Sequence, residues 1–268
     1  MKAKISVIMG VYNDKKYLND AIDSILNQTC KDFEFLICND CSEDDDIQKI
    51  LDSYRLSDSR VKLLKNDVNS GLAASLNRCL QLAEGEYIAR MDSDDISEPD
   101  RFEKQIDFLN ANPNYDICSG KIHFIDDNGI WGELNRNGEV SLYDVYKGGA
   151  FVHPAVMMRK EALTAVGGYT SDKLTRRAED YDLWCKMYLN GSIGYNMDEF
   201  LLLYREDSNS YKKRKLSTRI EKCRLSHYWR KRLGLSLKWE YYSIRPIIAG
   251  LVPKKILLLR RKRKGKIS

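Results

Sequence analysis

Apolar residues fall into two rhythms over the first hundred positions. Ile5-Ser6-Val7-Ile8-Met9 is a short β-branched run that stops at Gly10, and Phe33–Cys38, Val61–Leu64 and Tyr87–Met91 are runs of the same kind. Between them the spacing lengthens to a helical period. Tyr17, Leu18, Ala21, Ile22, Ile25 and Leu26 share one face, and Ile47–Tyr54 and Leu72–Ala83 repeat the pattern. Pro99 sits where a further helix would begin, running to about Asn110. Strands alternating with helices of this length predict an α/β domain with a parallel, doubly wound sheet. Such sheets bind ligands beyond the carboxyl ends of their strands. Asn13 and Asp14, Asp40, Asn66 and Asp67, and Asp92 to Asp95 all stand at strand ends, so they are expected to open onto one crevice.

The second half is less regular. Ile117–Ile125 reads as a longer strand and Val156–Met158 as a short one. A helix from Lys160 to Val166 is stopped by Gly167-Gly168. Ala178–Leu189 is amphipathic, and Phe200–Tyr204 reads as a late strand. A boundary near Asn209–Lys215 divides a catalytic domain, 1–210, from a basic helical segment, 211–268.

Charge sharpens that division. Of the net +5, residues 211–268 carry +18, from 20 Lys and Arg against Glu221 and Glu240, and residues 1–210 carry −13. The acidic body and basic tail point the tail at something anionic. With 43% hydrophobic residues in 268, there is material for one large core. The seven cysteines are scattered, and Ile5–Tyr12 is too short for a signal peptide, which suggests a reducing, cytoplasmic setting. Cys38-Asn39-Asp40-Cys41 has no second pair or histidine cluster to complete a zinc site. Ile244–Leu259 is broken by Arg245, Pro246, Pro253, Lys254 and Lys255, short of the roughly 20 apolar residues a membrane span needs.

The strongest chemical signal is Asp92-Ser93-Asp94-Asp95, directly after an apolar strand. Alternate carboxylates there can converge on a hard cation such as Mn²⁺ or Mg²⁺, which in turn can hold a diphosphate. The alternative is a solvated acidic turn. Asp40 can accept a hydrogen bond from a uracil N–H, or can simply form its turn. Asn69-Ser70-Gly71-Leu72 offers backbone N–H groups to a phosphate, or is an ordinary helix start. Glu179-Asp180 opens a helix whose Leu183, Trp184 and Met187 would bury one side and aim the acids at the crevice. A carboxylate there can act as general base on a sugar hydroxyl, or can merely favour the helix N-terminus. His153, beside Pro154, is a candidate for the metal or diphosphate, or a core histidine. Trp131 and Tyr169 are aromatics for sugar stacking or for the core.

Taken in order, these pieces resemble the family 2 glycosyltransferases. The matching segments are Ile5–Asn13, Ile25-Leu26-Asn27-Gln28-Thr29, Asn39-Asp40-Cys41-Ser42, Asn69-Ser70-Gly71-Leu72 with Asn77, Gly85–Asp95, Pro99-Asp100-Arg101, His153-Pro154, Gly167-Gly168-Tyr169 and Glu179–Trp184, covering about residues 3–205. One departure is Cys41, where the family often has a small residue or glycine-like turn chemistry. The resemblance implies the GT-A fold, a Rossmann-like doubly wound mixed sheet, here followed by the basic helical extension. It implies inverting transfer of a hexose or N-acetylhexosamine from a nucleotide-diphosphate sugar, usually a UDP-sugar, with Mn²⁺ or Mg²⁺. By that pattern Tyr12 and Asp40 hold the base and nucleoside, and Val11, Asn13, Asn69, Gly71, Asn77, Asp92 and Ser93 complete the donor site. Asp92 and Asp94 are the D-x-D residues, with Asp94 the direct ligand. Asp180 is the general base, with Glu179 beside it.

The tail interleaves cations with apolar residues, as in His227–Leu233 and Lys254–Lys264, and Trp239, Tyr241 and Tyr242 add interfacial aromatics. That composition suits a helix on an anionic membrane, or a solubilising tail without structure. No nucleic-acid-binding motif accompanies the charge. The resemblance implies capsule, O-antigen or exopolysaccharide assembly on saccharide or lipid-linked acceptors, with the enzyme peripheral on the inner face of the cell membrane. The rival is an inactive sugar-nucleotide-binding or scaffold protein. A nicotinamide-dependent oxidoreductase is disfavoured because no G-x-G-x-x-G follows the first strand. A nucleotidyltransferase shares the metal logic but would release pyrophosphate.

Overall fold

The computed structural model describes residues 4–206 and 216–251. The first half forms β1 (Ile5–Val11), α1 (Leu18–Leu26), β2 (Phe33–Asn39), α2 (Asp45–Ser57), β3 (Val61–Lys65), α3 (Leu72–Leu82) and β4 (Tyr87–Arg90). Then come β5 (Ile96–Ser97), α4 (Arg101–Ala111), β6 (Ile117–Asp126), β7 (Gly129–Leu134), β8 (Gly138–Val140), α5 (Leu142–Lys147), β9 (Met157–Arg159), α6 (Lys160–Ala165), α7 (Glu179–Leu189) and β10 (Gly194–Arg205). Two helices close the chain, α8 (Leu216–Arg232) and α9 (Glu240–Leu251).

The strands form one sheet in the order β3-β2-β1-β4-β9-β6-β10-β5, with β7 beside β6 and β8 beside β10. β3, β2, β1 and β4 are parallel, as the alternation of strand and helix predicts. The wholly parallel sheet is not observed: β9 runs antiparallel to both β4 and β6. The reason is local. The chain reaches the carboxyl rim through a 3-10 turn at His153–Ala155, and the Val156 carbonyl accepts from the Arg90 N–H at 3.1 Å, so the next strand can only run back down. The sheet is therefore mixed.

The strands are apolar on both faces because both are covered. Val7, Met9, Phe35 and Ile37 pack with Ile22, Ile25, Phe102 and Leu109 on one side. Ile8, Leu36, Cys38 and Ile88 pack with Leu76, Cys79, Leu183, Trp184 and Met187 on the other. At the amino ends, buried Glu34 accepts from Ser6 Oγ at 2.6 Å and from the Glu84 N–H at 2.6 Å, and meets Lys62 Nζ at 2.7 Å. Gly85 has to be glycine here, since a Cβ would lie 2.5 Å from the Ser6 nitrogen. Cys41 has φ of 59°, the left-handed region that favours glycine, which is why a small residue suits that turn.

α8 packs onto the α/β body. Leu225 and Trp229 enter the second core cluster, and Trp229 Nε1 donates to buried Asp182 Oδ1 at 2.8 Å. The expected boundary at 209–215 and the densest basic run, Lys254–Lys264, lie outside the described residues. No described helix is long and apolar enough to cross a membrane.

Trp229→Phe keeps an aromatic ring in the core and removes the donor to Asp182. We expect urea denaturation to show a loss of about 2 kcal/mol, the cost of an unmatched buried hydrogen bond to a charged group. A change below about 0.5 kcal/mol, the range of surface substitutions, would contradict the docking of α8.

Candidate active site

The carboxyl rim is stitched together by its loops. Beyond β1, Asn13 takes φ of 51°. Its N–H donates to Ser42 Oγ at 3.2 Å, and its Oδ1 accepts from the Glu43 N–H at 2.8 Å. Tyr12 stays 42% exposed, its hydroxyl 3.3 Å from Glu43. The Val11 side chain belongs to the core, and its carbonyl accepts from the Asp40 N–H at 2.8 Å.

Asp40 is buried and already bonded. Its Oδ1 accepts from Asn66 Nδ2 at 2.6 Å and the Ser70 N–H at 2.9 Å, and its Oδ2 accepts from the Gly71 N–H at 2.8 Å. An internal carboxylate thus occupies the two N–H groups at the start of α3 that the sequence offers to a phosphate, while Asn69 is exposed. Asn77 works at a distance as well. Its Nδ2 donates to the Tyr169 carbonyl at 2.7 Å and its Oδ1 accepts from the Tyr169 N–H at 2.8 Å. Gly168 makes this pairing possible: its φ is 67°, and a Cβ would lie 2.7 Å from Asn77 Oδ1.

The centre of the rim is the loop after β4. Asp92, Asp94 and Asp95 present oxygens that all lie within 4.8 Å of one another. Arg90, the last residue of β4, is buried, and its Nη2 donates to Asp92 Oδ1. Arg101 of α4 fixes the backbone beneath, donating from Nη2 to the carbonyls of Arg90 at 2.9 Å and Val156 at 3.1 Å. Ser93 Oγ donates to Asp14 Oδ2 at 2.8 Å, tying the loop to the one after β1. From the end of β10, Arg205 gives its N–H to Asp95 Oδ1 at 2.7 Å and its Nε to the Asp94 carbonyl at 2.9 Å.

This leaves excess negative charge in a confined place. Burial, then the charges of Asp92 and Asp14, push the Asp94 carboxyl up to about 7. Burial, with Asp92 and Asp94, pushes Asp95 well above the ordinary carboxylate range. Asp95 Oδ2 is buried and accepts no hydrogen bond among the described residues. A buried anionic oxygen without a partner is costly unless a cation meets it. The carboxylate donors suit a hard cation such as Mn²⁺ or Mg²⁺.

His153, expected as a further ligand, is not in that group. Its Nε2 lies 2.9 Å from the Tyr169 hydroxyl, and burial plus the charge of Arg90 hold the imidazole well below its ordinary pKa, so it is neutral. Tyr169 joins the two halves of the site. Its hydroxyl is pushed up first by burial, and it senses Arg90, Asp180, Glu179 and Asp92 together. Glu179 and Asp180 start α7, half-buried, just after Arg177 with φ of 64°. Burial and the neighbouring Asp180 raise the Glu179 carboxyl. Trp131 stacks on Phe124 at 5.0 Å between ring centres, on β7.

Arg90, Arg101 and Arg205 carry no role expected from the sequence, and Asp95 is expected at the crevice without a ligand role. Asp95 was signalled by the doubled acid of D-S-D-D, and Arg90 and Arg101 by their place in the matched segments. Arg205 carried no signal, because its partners are 110 and 111 positions away.

A mixed sheet with an acidic loop after its fourth strand, and an acidic helix start within electrostatic reach of Arg90 and Tyr169, is the arrangement of a GT-A glycosyltransferase fold. Residues 6–167 match the family described as Glycosyl transferase family 2, and the chain belongs to that family. It is 38% identical over 255 residues to the putative glycosyltransferase EpsE of Bacillus subtilis, covering 95% of this chain and 91% of that one. It is 31% identical over 217 residues to an Escherichia coli UDP-Gal:alpha-D-GlcNAc-diphosphoundecaprenol beta-1,3-galactosyltransferase, covering 79% and 77%. The crystal structure of S. aureus TarS 1-349 in complex with UDP-GlcNAc superposes with a TM-score of 0.66 at 19% identity, covering 91% of this chain and 79% of that one.

The raised carboxyl gives a signed prediction. Protonated Asp94 is favoured in the fold, so ligand-free stability falls as pH rises from the ordinary value of 3.8 through about 7. Asp94→Asn removes that loss. Thermal unfolding in EDTA is expected to show the variant gaining on the parent between pH 5 and pH 8, by roughly 2 °C or more. A gap independent of pH would contradict the assignment.

Proposed function

We propose that this chain transfers a hexose or N-acetylhexosamine from a UDP-sugar to a hydroxyl of a saccharide or lipid-linked saccharide, with inversion, in surface-polysaccharide synthesis. The observation that carries this is the group of three carboxylates around a buried, unpartnered oxygen at the end of β4. The E. coli relative named for a UDP-Gal donor and a diphosphoundecaprenol acceptor supports the substrate class.

Asp92 and Asp94, with Asp95 behind them, would hold Mn²⁺ or Mg²⁺. Such an ion, when bound, neutralises a diphosphate as it leaves. Arg90 fixes the rotamer of Asp92, and Ser93 anchors the loop to Asp14. Exposed Tyr12 offers a ring to the uracil base, with Asn13 and Asp40 setting the loops around it. Asp40, Gly71 and Asn77 act by holding backbone in place, given the bonds they already make. Asp180 takes the proton from the acceptor hydroxyl. The oxygen then forms its bond to the anomeric carbon on the face opposite the breaking bond to UDP. Glu179, its carboxyl raised by burial and by Asp180, stands beside that base. Orientation and charge placement carry most of the rate. The protein would work at the cytoplasmic side of a membrane.

The test is a panel of UDP-glucose, UDP-galactose and their N-acetylated forms with Mn²⁺, read as UDP release with and without a membrane extract. One donor is expected to turn over, and Asp180→Asn to cut kcat by about 10²- to 10⁴-fold while UDP still binds. UDP binding with no turnover of any donor would favour the inactive donor-binding reading. Release of pyrophosphate would point to a nucleotidyltransferase.

A further inference from the structure

α9 carries a second, unabsorbed feature. Its inner side is fixed: Ser243 is fully buried, its hydroxyl 2.7 Å from the Tyr146 hydroxyl and 3.3 Å from Ser226 Oγ. The opposite side is apolar and faces outward. Tyr241 is 59% exposed, Ile244 43% and Ile248 46%, at helical spacings of three and four. Leu237, in the turn just before, is 76% exposed and extends the same stripe. Exposed Lys238 and Arg245 flank it. Trp239 and Tyr242, read from sequence as interfacial, are turned inward instead: Trp239 stacks on Tyr143 at 4.6 Å and on Tyr242 at 5.5 Å.

We propose that the stripe Leu237–Tyr241–Ile244–Ile248 is the surface by which this chain lies on an anionic lipid bilayer. The inference rests on the reading above that the acceptor is held at a membrane, and it names the residues that make the contact. Charge complementarity selects the occupant. α9 ends at Leu251, and residues 252–268 follow with eight Lys and Arg and no acid. A row of apolar side chains lined by cations is the pattern of a helix resting at the headgroup boundary. Exposed apolar rows of this kind on a folded domain mark an interaction site. Docking of α8 against Asp182 and of Ser243 against Tyr146 makes the stripe part of the catalytic body, so binding would hold the acidic rim at a fixed orientation to the membrane.

The test uses the full chain and flotation with phosphatidylcholine vesicles, with and without phosphatidylglycerol. The parent is expected to float with the anionic vesicles. The combined variant Tyr241→Ser, Ile244→Ser, Ile248→Ser is expected to lose at least about tenfold in affinity, with thermal unfolding unchanged. Ile244→Ser and Ile248→Ser singly should each weaken binding, which keeps the test open if the combined variant folds poorly. Parent binding that survives all three variants overturns the stripe and leaves the basic tail as anchor. Self-association lost in the variants, with vesicle binding intact, assigns the face to a second copy and also overturns it. Nucleotide release without lipid, measured on the same proteins, reports the enzymatic reading separately: turnover without flotation sinks the stripe alone, and flotation without turnover sinks the enzyme alone.

Discussion

One imbalance of charge organises the rim of this protein. Asp92, Asp94 and Asp95 bring three carboxylates within 4.8 Å of one another, with Asp14 close enough to act on Asp94. The buried Arg90 guanidinium pairs with Asp92, the buried Arg101 lies within electrostatic reach of Asp95, and Arg205 bonds the loop from the end of β10. Only Asp92 has a guanidinium paired with its carboxylate there, so negative charge stays in excess in a place where burial weakens solvent screening. The fold answers by raising the Asp94 and Asp95 carboxyls and leaving Asp95 Oδ2 unmatched. A site so poised has a use for a divalent cation and for the diphosphate such a cation carries.

The sheet is what holds the imbalance in place. β4 delivers Arg90 and the acidic loop to the rim, and Arg101 clamps that backbone to the one entering β9. β9 runs against its neighbours, so its approach turn lies at the same rim and brings His153 to the Tyr169 hydroxyl. Asn77 and Gly168 fix Tyr169, whose hydroxyl feels the charges of Arg90, Asp92 and the acidic start of α7. The far end of the sheet contributes through Arg205, which closes the loop over Asp95. Residues scattered across the chain thus converge because the strand ends do.

Much of this was legible in the sequence where the signal is short-range. β1, β2 and β4 announce themselves because each is buried on both faces and reads as a near-continuous apolar run, while β3, at the sheet edge, is shorter and half-exposed. α7 was legible by its period, and D-S-D-D by its position after a strand. What escaped depends on partners far away. β7, β8 and α5 are short and partly exposed, so their composition does not separate them from loop. β10 begins at Gly194, six residues before the expected Phe200, because Gly194–Glu199 is too polar to read as strand until β6 and β8 pair with it. Asp40 looked like a ligand or a turn former. Its partners, 26 to 31 positions on, show that it ties down the loop that leads into α3. The basic tail looked uniform, yet α8 hides Leu225 and Trp229 in the core.

The claim at the centre is that the carboxylates after β4 form a cation–diphosphate cradle. Electron paramagnetic resonance of Mn²⁺ titrated into the protein, with and without UDP, tests it most directly. The account predicts that the free Mn²⁺ signal is lost on binding, more tightly when UDP is present, and that Asp94→Ala and Asp92→Ala each weaken this at least about tenfold. Equal Mn²⁺ binding in the parent and both variants would contradict it.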